Sequence, residues 1–209
     1  MNILLHETQP FSNIELFSKY SQHKKVVIEA CEHYQKRSLR NKYYILTSQG
    51  ILPLAIPLKK GKNNKMPIKD VRISFEENWQ KTHLGAIRAA YGKSPFFEHY
   101  FDEMEIIFLK NHTFLFDFNQ NALEFLLKKL KCNIEVKEST SYQKHYSEDT
   151  DDFRHHLWSP PTKTMNPTWK YIQSWCELGE FYENLSTLDL LFSTGPDALF
   201  HLLKFAELK

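Results

Sequence analysis

The sequence predicts an α/β fold, with helices packed on a small mixed sheet around a Rossmann-like core. Three observations carry this prediction. Short runs rich in β-branched residues alternate with helical stripes, as at Lys25-Val26-Val27-Ile28-Glu29-Ala30. Helix-start signals stand before apolar positions spaced three and four apart. The chain of 209 residues is 42% hydrophobic, ample for a packed core and far from a disordered composition.

Taken in order, Ile3 to Leu5 forms a first strand, and Asn13 to Tyr20 a short helix with apolar residues at 14, 16, 17 and 20. Lys25 to Ala30 is the second strand. Tyr43 to Leu46 and Leu52 to Leu58 form a hairpin across Ser48-Gln49-Gly50, its second strand at a sheet edge because it holds Pro53 and Pro57. Val71 to Ile73 is a further strand. Ser74-x-x-Glu77 has the form of a capping box, opening a helix that runs to Tyr91 and stops at Gly92. Ser94-Pro95 opens another, with Phe97, Phe101, Met104, Ile107 and Phe108 facing the core. Asn119 to Lys131 is a helix and Asn133 to Val136 a strand. Residues 138–168 carry acid and proline clusters and read as one irregular loop or lid within a single domain spanning 1–209. Ser186-x-x-Asp189 is a second capping box. After Gly195-Pro196 a final helix buries Ala198, Leu199, Leu202, Leu203 and Ala206.

Bulk properties exclude several classes. No apolar run approaches the roughly 18 residues of a membrane span, and the N-terminus lacks the charge and apolar pattern of a signal peptide. Three scattered cysteines, Cys31, Cys132 and Cys176, point to a reduced, cytoplasmic chain without a zinc site. His145, His155 and His156 lie near Asp149, Asp151 and Asp152, but their spacing matches no metal motif, so no metal is expected. No cofactor is indicated, and the oligomeric state is not legible.

Charge is uneven. From His23 to Arg72 there are twelve Lys and Arg against three Asp and Glu, whereas from Ile73 onward there are fourteen against twenty. A cationic stretch of this kind raises the local concentration of phosphate-bearing partners. Its densest part, Glu32 to Lys42, leaves the second strand directly, where α/β folds place ligand contacts. Arg37 and Arg40 suit bidentate binding of phosphate or carboxylate, Lys36 adds a point charge, and His33 and Asn41 are polar neighbours. The alternative is a solvated basic loop. Lys59 to Lys65 is a second basic run without the P-loop pattern. Trp79, His83 and Tyr91 share one helical face, with His83 either a core histidine or a proton acceptor. Asn184 and Asp189 are polar residues in an apolar setting, and Asp189 has a structural role available as the acid of the cap.

Three strings resemble the WbqC-like family of bacterial proteins. They are His33-Tyr34-Gln35-Lys36-Arg37-Ser38-Leu39-Arg40-Asn41, then Asn78 to Leu84 with Ala89 to Phe97, then Asn184-Leu185-Ser186-Thr187-Leu188-Asp189-Leu190-Leu191-Phe192 with Gly195-Pro196. The resemblance implies a bacterial cytoplasmic protein whose relatives occur among genes for surface polysaccharides such as O-antigen. Carried over by position, it marks Lys36, Arg40, Asn41, Trp79, His83, Tyr91, Ser94, Pro95, Asn184, Ser186 and Asp189. The chain departs from the family's pattern at Phe11-Ser12-Asn13, where a proline-containing segment is usual, and at 142–167, where longer members carry additional sequence.

These readings together lead to three functional expectations. The first is an enzyme acting on a nucleotide-activated amino sugar by acyl or aminoacyl transfer. In it His83 and Asn41 are catalytic, and His33, Lys36, Arg37, Arg40, Trp79, Tyr91, Asn184 and Asp189 bind substrate. The second is a non-catalytic binding or scaffold module in an envelope-synthesis assembly. The third, nucleic-acid binding, is opposed by the acidic remainder of the chain.

Overall fold

A computed structural model describes residues 3–60, 65–154, 156 and 160–208. Its centre is a four-stranded, wholly parallel sheet. Strands β1 (Ile3–Glu7) and β2 (Lys25–Glu29) pair in register from Ile3↔Lys25 to Glu7↔Glu29. They are joined by α1 (Ile14–Tyr20), capped by the Asn13 side chain, which accepts from the Leu16 amide at 2.8 Å. The hairpin β3 (Lys42–Thr47) and β4 (Gly50–Ala55) stands apart from this sheet as a two-stranded ribbon.

Helices α2 (Trp79–Tyr91), α3 (Phe97–Leu109) and α4 (Leu115–Lys129) then lead to β5 (Glu135–Glu138), which joins the outer side of β2. The short β6 (Thr150–Asp152) pairs with the other side of β1. A second ribbon, β7 (Thr162–Met165) with β8 (Glu180–Glu183), precedes α5 (Thr187–Thr194) and α6 (Ala198–Leu208). The sheet order is thus β5-β2-β1-β6. Chain direction around the sheet reverses between β1 and β6, and a crevice forms at the carboxyl ends of the strands at such a point.

The core is aromatic. Phe11 stacks on Phe108 at 5.6 Å between ring centroids, and Phe118 meets Trp79 edge to face. No helix among the described residues is long and apolar enough to cross a membrane.

The α/β class is the one read from the sequence, but several boundaries move for physical reasons. Instead of a strand over 71–73, Arg72 and Ile73 form isolated bridges to Phe114 and Leu58, and the Ser74 amide is committed to the Pro57 carbonyl at 2.8 Å. The chain is therefore still extended at Ser74. Asn78, not Ser74, caps α2, accepting from the Lys81 amide. The Ser94 hydroxyl pairs with that of Ser174 at 2.7 Å instead of capping, and α3 starts at Phe97.

Helix α4 begins four residues early because Leu115, Phe116 and Phe118 are all buried. Pairing with β2 shifts β5 to 135–138. Within 138–168 the acidic Thr150-Asp151-Asp152 is the fourth parallel strand, and residues 162–165 pair with β8. In α6, Phe205 is buried and Leu203 is exposed.

Asp189 does not act as the acid of a capping box. Ser186 caps α5 through its hydroxyl, but its own amide donates to the Tyr44 carbonyl at 2.9 Å. The Asp189 carboxylate, fully buried, instead accepts from the Tyr171 hydroxyl and from Gln173 Nε2 at 3.0 Å. At the other end of α5, Gly195 has φ +54°, and a Cβ there would lie 2.4 Å from the Phe96 ring, which is why glycine stands at this stop.

Candidate functional site

A cavity of about 310 Å³ opens at the carboxyl ends of the parallel strands. This is the size range of small-molecule sites. The exits of β1, β2 and β6 contribute to its wall. Asn13 comes from the connection after β1, Gln35 to Arg40 from the connection after β2, and Arg154 and His156 follow β6. Lys42 and Tyr44 of β3, Pro160, Pro161 and Asn184 complete it.

The segment before α5 holds these pieces in place. Ser186 Oγ donates to the Phe11 carbonyl at 2.8 Å and Thr187 Oγ1 to that of Ser12 at 2.7 Å. Asn184, in the left-handed region at φ 57°, accepts from the Glu15 amide and donates to the Glu15 carboxylate, both at 3.0 Å. One short stretch therefore fixes the entry to α1 and, through the Ser186 amide, β3 as well.

Two buried arginines line the cavity, each held by carboxylates. Arg40 is 2% exposed and meets Glu32 in bidentate fashion, Nε to Oε1 at 2.7 Å and Nη2 to Oε2 at 2.5 Å. The Asn119 amide donates to the Arg40 carbonyl at 2.8 Å, so its backbone is fixed too. Arg154 is also 2% exposed. It spans both Asp152 oxygens at 2.9 and 2.6 Å and reaches Glu29 at 3.0 Å and the Gln143 carbonyl at 2.8 Å. The rings of Tyr142 and Tyr146 each lie 4.8 Å from its guanidinium.

Lys36 and Arg37 are exposed and form no ion pair with any described residue, while Lys42 lies 5.2 Å over the Tyr44 ring. No carboxylate side chain among the described residues lines the cavity. The uncompensated positive field therefore comes from Lys36, Arg37 and Lys42, above two arginines whose charge is balanced.

Of the residues singled out in the sequence, Lys36, Arg37, Arg40 and Asn184 come together here. The others lie elsewhere. His33 is exposed and bridges to Pro67. Asn41 takes the Tyr34 hydroxyl at 3.0 Å and donates to the Ile56 carbonyl at 2.9 Å, which ties it to the hairpin. His83 is 4% exposed, packs edge to face on Trp79 at 5.1 Å and shares a hydrogen bond of 3.0 Å with the Tyr43 hydroxyl. Trp79 is core. Tyr91 is buried, and its hydroxyl accepts from the Leu46 amide at 3.0 Å. Asp189 sits in its own network as described. The second basic run is only partly described, since residues 61–64 lie outside the described residues, as does His155.

Tyr44 and Arg154 are not among the site residues expected from the sequence, and Lys42 enters there only as the last residue of the dense cationic segment. Alternation along β3 was an available signal for two of them. With Tyr43 and Ile45 buried, Lys42 and Tyr44 must face the other side.

Burial lowers the pKa of both His83 and His6 to about 4, with backbone hydrogen bonds to Ala55 and Glu7 opposing it. Both rings are therefore neutral at pH 7. A histidine whose folded pKa lies below its unfolded value of about 6.5 binds fewer protons when folded. Its stability contribution is complete above that value and is lost as pH falls from 6.5 towards 4. Acidification from pH 7.5 to 5 is expected to cost about 2 kcal/mol for each ring. Urea unfolding at the two pH values, with His83→Phe losing about half of the difference, checks this.

A family model described as the WbqC-like protein family matches residues 10–156. No curated protein and no solved structure matches the chain. The matched span includes the exits of β1, β2 and β6, and hence most of the cavity wall.

Proposed function

The chain belongs to the WbqC-like protein family, and from that premise we propose that its cavity binds a phosphate-bearing small molecule, a nucleotide-activated amino sugar used in building bacterial surface polysaccharide of the O-antigen type. The observation that carries the reading is the wall itself, in which Lys36, Arg37, Arg40, Lys42 and Arg154 converge and, among the described residues, no carboxylate lines the ligand space. Lys36, Arg37 and Lys42 attract the diphosphate. Arg40 offers a directed donor, and Asn13, Tyr44 and the two prolines give the mixed polar and apolar wall that a sugar ring needs. A cytoplasmic site of action belongs to the same reading.

The resemblance extends the proposal to acyl or aminoacyl transfer onto the sugar amine. His83 is buried away from the cavity, and among the described residues the imidazole at the cavity that could take the amine's proton is that of His156, whose Nε2 lies 3.8 Å from Glu15. The placement of His83 in the core and the commitment of Asn41 to Tyr34 and Ile56 favour a second reading, a binding module without catalysis in an envelope-synthesis assembly.

A thermal-shift panel tests the binding claim. UDP-N-acetylglucosamine and other nucleotide sugars are expected to raise Tm, by an amount equivalent to about 2.7 kcal/mol at a hundredfold excess over Kd. Unphosphorylated nucleosides and oligonucleotides are expected to leave it unchanged. No shift with any phosphorylated ligand would remove the reading. Turnover with an acyl donor then separates enzyme from binding module.

A further inference from the structure

The proposed site contains two kinds of cation. Lys36 and Arg37 are long, exposed and without a carboxylate partner among the described residues. Arg40 is immobilised on every side but one. Its Nε and Nη2 edge is taken by Glu32, its carbonyl by Asn119, and its amide by the Ser38 hydroxyl at 3.4 Å. The Nη1 group hydrogen-bonds to no described residue, and it is not among the buried polar atoms sealed from solvent. The side chain is 2% exposed and Arg40 lines the cavity, so Nη1 is assigned to the cavity side.

Burying both members of an ion pair costs more desolvation than well-packed apolar residues would, so stability alone is a poor account of the Glu32–Arg40 pair. A bidentate carboxylate fixes a planar guanidinium in orientation as well as position. A donor ordered before the ligand arrives loses no side-chain entropy on binding.

We infer that Glu32 is a positioning residue for the cavity. It turns Arg40 into a preset donor whose Nη1 reads one phosphoryl oxygen, while Lys36 and Arg37 supply the salt-sensitive field that draws the anion in. This rests on the proposed reading of the cavity as an anion site.

The test uses the sign of an effect. Glu32→Gln removes a negative charge close to the site. If the cavity acted only through its net field, the variant would bind anions more tightly. If Glu32 positions Arg40, the variant binds more weakly, because the amide puts an NH2 group where one of the two acceptor oxygens stood and the two-point grip on the guanidinium is lost. Calorimetric titration of the full chain with inorganic pyrophosphate at two salt concentrations reads this directly. The expected result is a 10- to 100-fold weaker Kd for Glu32→Gln, with the salt dependence kept. Lys36→Ala should lose only a few-fold and should flatten the salt dependence. Equal or tighter binding by folded Glu32→Gln overturns the inference.

Should Glu32→Gln fail to fold, Arg40→Lys decides. It keeps the charge but loses the planar fork that grips Glu32 through two N–H groups and fixes the direction of a third, so an affinity within threefold of the parent overturns the inference and a tenfold loss supports it. Absence of pyrophosphate and nucleotide-sugar binding by the parent chain would instead strike the anion site itself.

Discussion

Replacing Arg154 by alanine is expected to lower the unfolding free energy by about 3–5 kcal/mol, the range for breaking a buried ion pair from one side. The side chain is the junction of three segments. It joins Asp152 at the end of β6, Glu29 at the end of β2 and the Gln143 carbonyl of the connection between β5 and β6, with two tyrosine rings on its faces. Glu29 is fully buried, and without Arg154 its remaining partners among the described residues are the Ser139 hydroxyl and the Cys31 amide.

The strand β6 has three residues and makes its ladder to β1 alone, so beside the His23–Asp151 contact of 2.7 Å this clamp is a main part of its attachment. Faster amide exchange at Thr150 to Asp152 should accompany the loss of stability. Adding Glu29→Gln and Asp152→Asn to Arg154→Ala should restore part of the stability by removing the stranded charges. A loss below about 1 kcal/mol, or exchange confined to other regions, would show that the clamp does not hold the strand.

The second large effect falls on binding with the fold intact. Lys36→Ala, Arg37→Ala and Lys42→Ala together remove the positive groups that no carboxylate balances. Lys36 and Arg37 are exposed and Lys42 is half-buried, so each change should move stability by no more than about 0.5 kcal/mol. Each cation near a phosphoryl oxygen contributes on the order of 1 kcal/mol. The triple variant should therefore bind UDP-N-acetylglucosamine about a hundredfold more weakly, with little remaining dependence on salt, as calorimetry at 50 and 300 mM salt would show. Unchanged affinity would place the ligand away from the cationic wall.

The legible and illegible parts of the fold differ in how local their causes are. The first two strands were readable because Val26, Val27 and Ile28 declare a strand without reference to anything distant. The cationic connection was readable because its position after β2 and its composition lie in one stretch of sequence. By contrast, Thr150-Asp151-Asp152 has almost no strand propensity. It becomes a strand because β1 offers it a ladder and Arg154 neutralises Asp152.

The helix starts at Ser74 and Ser94 were misplaced because hydroxyl and amide groups there are claimed by partners remote in sequence, Pro57 and Ser174. His83 and Asp189 matched local patterns for a base and for a cap. Their actual partners, Tyr43, Tyr171 and Gln173, come from other elements. The cavity was half legible for the same reason, since its first wall is contiguous in sequence, whereas Arg154, Pro160 and Asn184 arrive through the sheet order.

The most direct measurement is an experimental structure of the chain with a nucleotide sugar bound. The account predicts the diphosphate within hydrogen-bond distance of Arg40 Nη1 and beside Lys36 and Arg37, with the sugar against Asn13 and Tyr44. A ligand seated elsewhere, with this cavity holding only water and Arg40 Nη1 unused, would contradict it.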